Sequence, residues 1–320
     1  MGSDPLFGSL RNRGLTPYVL RAPAKLNLYL RVIGKRPDGY HEIETLFERI
    51  DLADELTIEP HPDQLFLTCD APELSCGEDN LILKAARLLQ RATGTALGAR
   101  LHLVKRIPIA AGLGGGSSDA AATLIGLNQL WALAWDRAQL APLAAALGSD
   151  VPFFLGDAPW AIGRGRGEVC EPLDASVHLA HVLVVPPEPL STKKIYAGLS
   201  RARLKAESRD NLTATRPSLM MIRHAFSNGP AAAGLARVLW NDLEPEAIRR
   251  CPVISLIQKQ LHDVGCLGSR LSGSGPAVFG LCHDARDAQR VADAMRRGAP
   301  SGWRIEVVQT DSLSLSPTGE

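Results

Sequence analysis

The chain has 320 residues, 45% of them hydrophobic, enough to pack the cores of about two domains. Lys plus Arg number 35 against 34 Asp plus Glu, so no strong field draws nucleic acid or an anionic membrane, and small molecules are the expected partners. The sequence shows no apolar leader, no eighteen-residue apolar run, no CxxC pair and no dense cysteine framework among its six cysteines; a cytoplasmic protein with reduced thiols is expected.

Residues 1–17 read as a mobile tail or as a cloning remnant. From Tyr18 to Ile33, "YVLRAPAKLNLYLRVI" alternates Leu26, Leu28 and Leu30 with Lys25, Asn27 and Tyr29, which predicts a strand carrying Lys25 and Asn27 on one face. Pro37, Asp38 and Gly39 supply a turn before a second extended segment around Ile43 to Ile50. Asp79 and Asn80 read as the cap of a helix over Leu81 to Ala92, and Leu101 to Lys105 as a strand. Helices are predicted from Asp119 to about Leu133 and from Asp136 to Leu147, the second stopped by Gly148 before "SDVPFF" opens a new element. "GRGRGE" (Gly163 to Glu168) reads as a basic loop, with screening of phosphate charge as its functional alternative.

"HVLVV" (His181 to Val185) is a buried-strand signal, and the basic stretch Ser200 to Ser218 reads as a loop or helical connection. The C-terminal third predicts a helix over Val253 to Val264, a strand at Ser269 to Leu271, a turn at "SGSGP" and a strand at Ala277 to Cys282. A helix over Asp284 to Met295 and a strand at Arg304 to Gln309 follow. With His181 to Val185 this order is a split β-α-β-β-α-β unit, and the absence of a regular βα period makes the chain α+β, with domains at 18–172 and 173–320.

The stretch "IAAGLGGGSSDAAATL" (Ile109 to Leu124) places four glycines within five residues before a serine pair and a helix. Glycine lets successive backbone N–H groups point inward, and a helix N-terminus adds free donors and a favourable dipole, so the order suits a phosphate group. Neither the P-loop nor the dinucleotide pattern fits, since both fail at Ser117. A plain turn in which Ser117, Ser118 or Asp119 caps the helix is the competing reading. The loop has no lysine, so a distant one such as Lys25, or Mg²⁺ held by Ser117 or Ser118, would supply the positive charge.

"PAKLNLYLRVIGKRPDGYHEIETLF" (Pro23 to Phe47), "PIAAGLGGGSSDAAATL" (Pro108 to Leu124) and "LSGSGPAVFG" (Leu271 to Gly280) together resemble the three motifs of the GHMP kinases, in order and spacing. The resemblance implies an N-terminal ATP-binding domain, a C-terminal ferredoxin-like domain and an active site between them. Lys25 and Asp150, the latter in "GSDVPFF", match the catalytic pair. Pro108, Ile109, Ala110, Ala111, Gly112, Leu113, Gly114, Gly115, Gly116, Ser117 and Ser118 match the segment around the ATP phosphates.

"DGYH" and "GSDVPFF" further resemble the branch of that family whose acceptor is a small alcohol bearing a cytidine diphosphate group, on the route to isoprenoid precursors that bypasses mevalonate. On that resemblance Asn27, Tyr40 and His41 line the acceptor site, His41 reads the cytosine edge, and Tyr196 stacks on the base opposite Tyr40. The cofactors implied are ATP as co-substrate and Mg²⁺. The partner is the cytidine diphosphate-bearing substrate rather than nucleic acid or membrane, and the chain acts as a monomer or weak homodimer. Another GHMP kinase, or a non-catalytic sensor on the same fold, would share the glycine loop. The first lacks a need for "GYH", and the second commonly loses Lys25 or Asp150.

Overall fold

A computed structural model describes residues 18–206, 217–227 and 231–312. The expected tail and part of the basic stretch from Ser200 to Ser218 lie outside these residues.

The first sheet is built on a long antiparallel hairpin of β1 (Tyr18–Lys35) and β2 (His41–His61). β3 (Leu65–Cys69), β4 (Gly98–Val104), β5 (Trp160–Arg164) and β6 (Val169–Pro172) extend it. β7 (Ala180–Val185) opens the second sheet, while β8 (Trp240–Asn241) returns to pair in parallel with Tyr29 and Leu30 of β1. With β9 (Gly268–Leu271), β10 (Val278–Cys282) and β11 (Arg304–Gln309), the second sheet runs β11-β7-β10-β9, all antiparallel, the strand order of a ferredoxin-like fold.

Helices α1 (Leu81–Thr93), α2 (Gly115–Leu130), α3 (Arg137–Leu147) and α4 (Val151–Leu155) pack against the first sheet around Leu20, Leu56, Leu103, Leu124 and Phe154. α5 (Thr192–Ala206), α6 (Leu219–Ser227), α7 (Ala231–Ala236) and α8 (Glu244–Arg250) lead to α9 (Val253–Asp263) and α10 (Ala285–Gly298). The last two share a core with the second sheet through Ile254, Ile257, Val278 and Val291. A third core joins the two sheets: Leu26, Leu28 and Leu46 of the first meet Leu183, Phe279 and Leu281 of the second. Each fully buried Leu or Phe there contributes about 1.5–3 kcal/mol. Both faces of β1 are therefore covered, which is why Ala22 to Leu30 are buried without a break despite the alternating sequence.

The α+β architecture matches the expectation, with local differences. β2 continues eleven residues beyond Ile50 because that part pairs with both β1 and β4, and buried Asp54 accepts the Arg106 and Ile107 amides at 2.6 and 2.8 Å. α2 begins at Gly115, four residues before Asp119, and α5 begins at Thr192, ahead of the basic stretch, and takes the helical alternative expected there over Ser200 to Ala206. β3, β5 and β8 are short strands that pair with partners distant in sequence, β6 adds only a four-residue hairpin arm to β5, and local periodicity carries no signal for them. Asn80 caps α1 as expected, accepting the Ile82 amide at 2.9 Å, and Asp136 forms a full capping box with Gln139.

Candidate active site

Lys25 is buried at the centre of β1, 3% exposed, which excludes a solvated surface lysine. Its ammonium donates to Asn27 Oδ1 at 2.5 Å and to the Gly112 carbonyl at 2.9 Å, and lies 3.4 Å from Asp150 Oδ2. Three donors thus face three acceptors, the full capacity of a lysine. Asn27 is oriented in turn, since its amide donates to Thr45 Oγ1 at 2.8 Å while Thr45 donates to the Tyr29 carbonyl at 2.7 Å. Asp150 precedes α4 but makes no side-chain capping bond; the helix positions it while its carboxylate turns to Lys25 and the cavity.

The glycine-rich segment folds over this pair. Gly112 and Gly114 have φ of +83° and +73°. A Cβ at Gly112 would stand 2.3 Å from the Ser272 carbonyl oxygen, and one at Gly114 would stand 3.0 Å from both Lys25 Cγ and Phe154 Cζ. Glycine is required at both for backbone conformation and for close approach. Gly114 is the N-cap of α2 and offers no side chain to the first turn, so neither serine nor Asp119 is the cap; the first-turn amides are left for a ligand. The turn from Ser272 to Pro276 packs on the loop: Ser272 Oγ donates to the Gly112 carbonyl at 3.1 Å, and the Ala277 amide to that of Ala111 at 3.1 Å.

Two cavities meet here and share Gly112, Gly114 and Thr192. The larger, about 720 Å³, is lined by Pro108 to Ser117 and, across from them, by Ser75, Asp79 and Asn80. Ser118, expected with this segment, is instead fully buried beneath it and does not line the cavity. The smaller, about 180 Å³, is lined by Lys25, Asn27, Asp150 and Tyr196. Burial and then the charge of Asp150 raise the Tyr196 phenol above its ordinary range, keeping it protonated.

His41 and Tyr196 are in ring contact, centroids 4.9 Å apart and planes tilted by 33°, and His41 Nε2 lies 2.8 Å from Ser200 Oγ. Tyr40 is 57% exposed and carries the Arg166 guanidinium over its ring at 4.9 Å.

Sequence reasoning missed a buried trio under the loop. Lys105 bridges Asp54 and Asp119, with Nζ 3.0 Å from Asp119 Oδ2, and both Lys105 and Asp119 line the larger cavity. Burial pushes the Asp119 carboxyl up to about 8 against the pull of Lys105. The only signal was "SSDAA", where Asp119 reads equally well as a cap. No group of three or more His, Cys, Asp or Glu able to hold a metal ion occurs among the described residues.

Residues 80–157 match the GHMP kinases N terminal domain and residues 222–301 the GHMP kinases C terminal domain. A Synechococcus protein named 4-diphosphocytidyl-2-C-methyl-D-erythritol kinase is 40% identical, with 93% of this chain and 98% of that protein aligned. The chain belongs to that kinase family. A protein of the same name from Pelotomaculum thermopropionicum is 43% identical over 86% of this chain and 93% of its own length. A crystal structure of 4-(cytidine 5'-diphospho)-2C-methyl-D-erythritol kinase superposes with a TM-score of 0.73 at 36% identity, covering 91% of this chain and 98% of that one. Membership in this kinase family makes the chain a small-molecule phosphotransferase with ATP as co-substrate.

Proposed function

We propose that the chain transfers the γ-phosphoryl of ATP to the tertiary 2-hydroxyl of 4-diphosphocytidyl-2-C-methyl-D-erythritol, a step of the non-mevalonate route to isoprenoid precursors. The observation that carries this reading is the Lys25–Asp150 pair, 3.4 Å apart where the glycine loop meets the smaller cavity. ATP lies in the larger cavity, its phosphates on the first-turn amides of α2, and the acceptor enters the smaller one.

Phosphoryl transfer passes through a loose transition state, so alignment and charge stabilisation carry most of the rate. Asp150 accepts the acceptor's hydroxyl proton. Lys25 holds the Asp150 carboxylate and neutralises charge on the reacting oxygens, fixed in place by Asn27 and Gly112. A tertiary alcohol is a crowded nucleophile, which makes this rigidity more valuable than a stronger base. His41 and Tyr196 open around the cytosine, with Tyr196 and Tyr40 as stacking faces and His41 at its edge. Mg²⁺ takes hard oxygen ligands, and the Ser117 hydroxyl on the larger cavity would hold it together with oxygens of the ATP phosphates. When bound, the ion neutralises phosphate charge.

Six free cysteines support a reducing, cytoplasmic setting. Among the described residues no helix is long and apolar enough to cross a membrane.

The test is ADP release from Mg-ATP with the cytidyl substrate beside homoserine, mevalonate, galactose and the methylerythritol phosphate lacking its cytidyl group. Turnover with the cytidyl substrate alone is expected. Turnover with another acceptor would remove the substrate assignment, and silence with ATP still bound would favour a sensor.

A further inference from the structure

The "GRGRGE" segment has no part in the chemistry above, yet its Arg166 lines the acceptor cavity. It turns between β5 and β6, with Gly165 and Gly167 at φ of +73° and +118°. The Ile43 amide donates to the Gly165 carbonyl at 2.7 Å, tying the turn to the start of β2 next to Tyr40 and His41. A Cβ on Gly167 would lie 3.7 Å from Asp150 Oδ1, so the turn rests against the proposed base. Between these two anchors stands Arg166.

Among the residues lining the smaller cavity, Lys25 and Arg166 are the only cations. All three Lys25 donors face acceptors already. Arg166 is engaged more loosely: Nε is 3.5 Å from Glu168 Oε1, Nη2 is 3.5 Å from the Ala145 carbonyl, and the guanidinium plane lies over Tyr40. Its backbone is firm by contrast, since the Arg166 amide donates to Glu168 Oε2 at 2.5 Å. The result is a fixed stem with a head group whose long polar contacts are easily exchanged.

We propose that Arg166 is the specificity-determining residue that binds the diphosphate of the acceptor. The assignment rests on the functional reading above, in which the acceptor carries a nucleoside diphosphate. A diphosphate brings at least two negative charges into a cavity where Lys25 is committed to the reacting end. The planar Arg fork meets phosphate oxygens with two parallel N–H bonds. Its seat on the Tyr40 ring holds those donors at the cytosine end of the cavity, within the reach of one ribose of a stacked base, and the cation over the ring adds to its hold.

The experiment compares cytidine diphosphate with cytidine as competitive inhibitors against the acceptor, in wild type, R166M and R166K. Thermal melting and the KM for ATP serve as the fold controls. In R166M the inhibition constant for cytidine diphosphate is expected to weaken about 10- to 100-fold, as loss of charge-assisted bonds implies. That for cytidine should stay within about twofold and kcat within a few-fold, while R166K recovers part of the loss. Equal weakening of both inhibitors would overturn the proposal and make Arg166 a prop for the Tyr40 ring. No change in either, or a loss of ATP binding as large as that of cytidine diphosphate, would overturn it too. A wild type that binds ATP but not cytidine diphosphate would refute the functional reading itself, and this assignment with it.

Discussion

Lys25 and Asp150 are 125 positions apart in sequence and 3.4 Å apart in space, and each is held by different means. Lys25 is set by a strand and by hydrogen bonds to Asn27 and Gly112; Asp150 is set by the first turn of a five-residue helix. Asp150→Asn keeps the size and removes the basicity, so it is expected to lower kcat roughly 100-fold or more while leaving ATP affinity and melting temperature near wild type. Steady-state kinetics beside a thermal melt would check this, and near wild-type turnover would remove the base assignment. For His41, against Tyr196 and near Ser200, the expected effect is on recognition: His41→Ala should raise the KM of the cytidyl substrate several-fold and leave that of ATP alone. An equal rise in both would make His41 a structural residue.

At the scale of elements, the glycine loop works because two other elements constrain it. α2 begins at Gly115 without a capping side chain, and the turn at Ser272 to Pro276 presses on Gly112. In sequence "SGSGP" is any hairpin turn; in the structure Asn241 of β8 donates to the Leu271 and Gly273 carbonyls at 2.8 Å each and locks that turn onto the loop. Gly112→Ala would combine a positive φ with an atom placed 2.3 Å from the Ser272 carbonyl oxygen. A stability loss of more than about 2 kcal/mol, visible as a lower melting temperature, and weaker ATP binding are expected. A melt and ATP affinity indistinguishable from wild type would mean that the two elements can part without cost.

For the whole molecule, stability depends on pH wherever packing and charge hold a carboxylate ionised, and the C-terminal half offers such a handle. The Arg249 guanidinium, joined by Arg250, holds the Glu246 carboxyl down to about 2, and that side chain covers Gly198 of α5. A carboxylate whose folded value is depressed adds stability that is fully present above about 4.5 and lost as pH falls through about 2, because the unfolded chain then takes up the proton first. Glu246→Gln should therefore melt lower than wild type at neutral pH, with the difference closing as pH approaches 2. Melting curves at a series of pH values check it, and a constant gap would show that the charge is not its source.

The two sheets themselves meet through Glu48, which lies 2.8 Å from His181 and accepts from Thr310 at 2.7 Å, all three buried. In the sequence these are an acid within an extended segment, the first residue of a strand signal and a threonine near the C-terminus; only the stacking of one sheet on the other makes them one network.

What the sequence determined alone was whatever depends on local order along the chain: the strand carrying Lys25 and Asn27, the capped helices, the split β-α-β-β-α-β order, and the glycine-serine run with its family resemblance. What only the tertiary structure decided was whatever depends on atoms distant in sequence. That includes the burial of Lys25 and Ser118, the Lys105 bridge between Asp54 and Asp119, the return of β8 to β1, and the seat of Arg166 over Tyr40. The division has a physical reason. Propensity, capping and turn chemistry act within a few residues, whereas desolvation and hydrogen bonding depend on which surfaces the packed cores bring together.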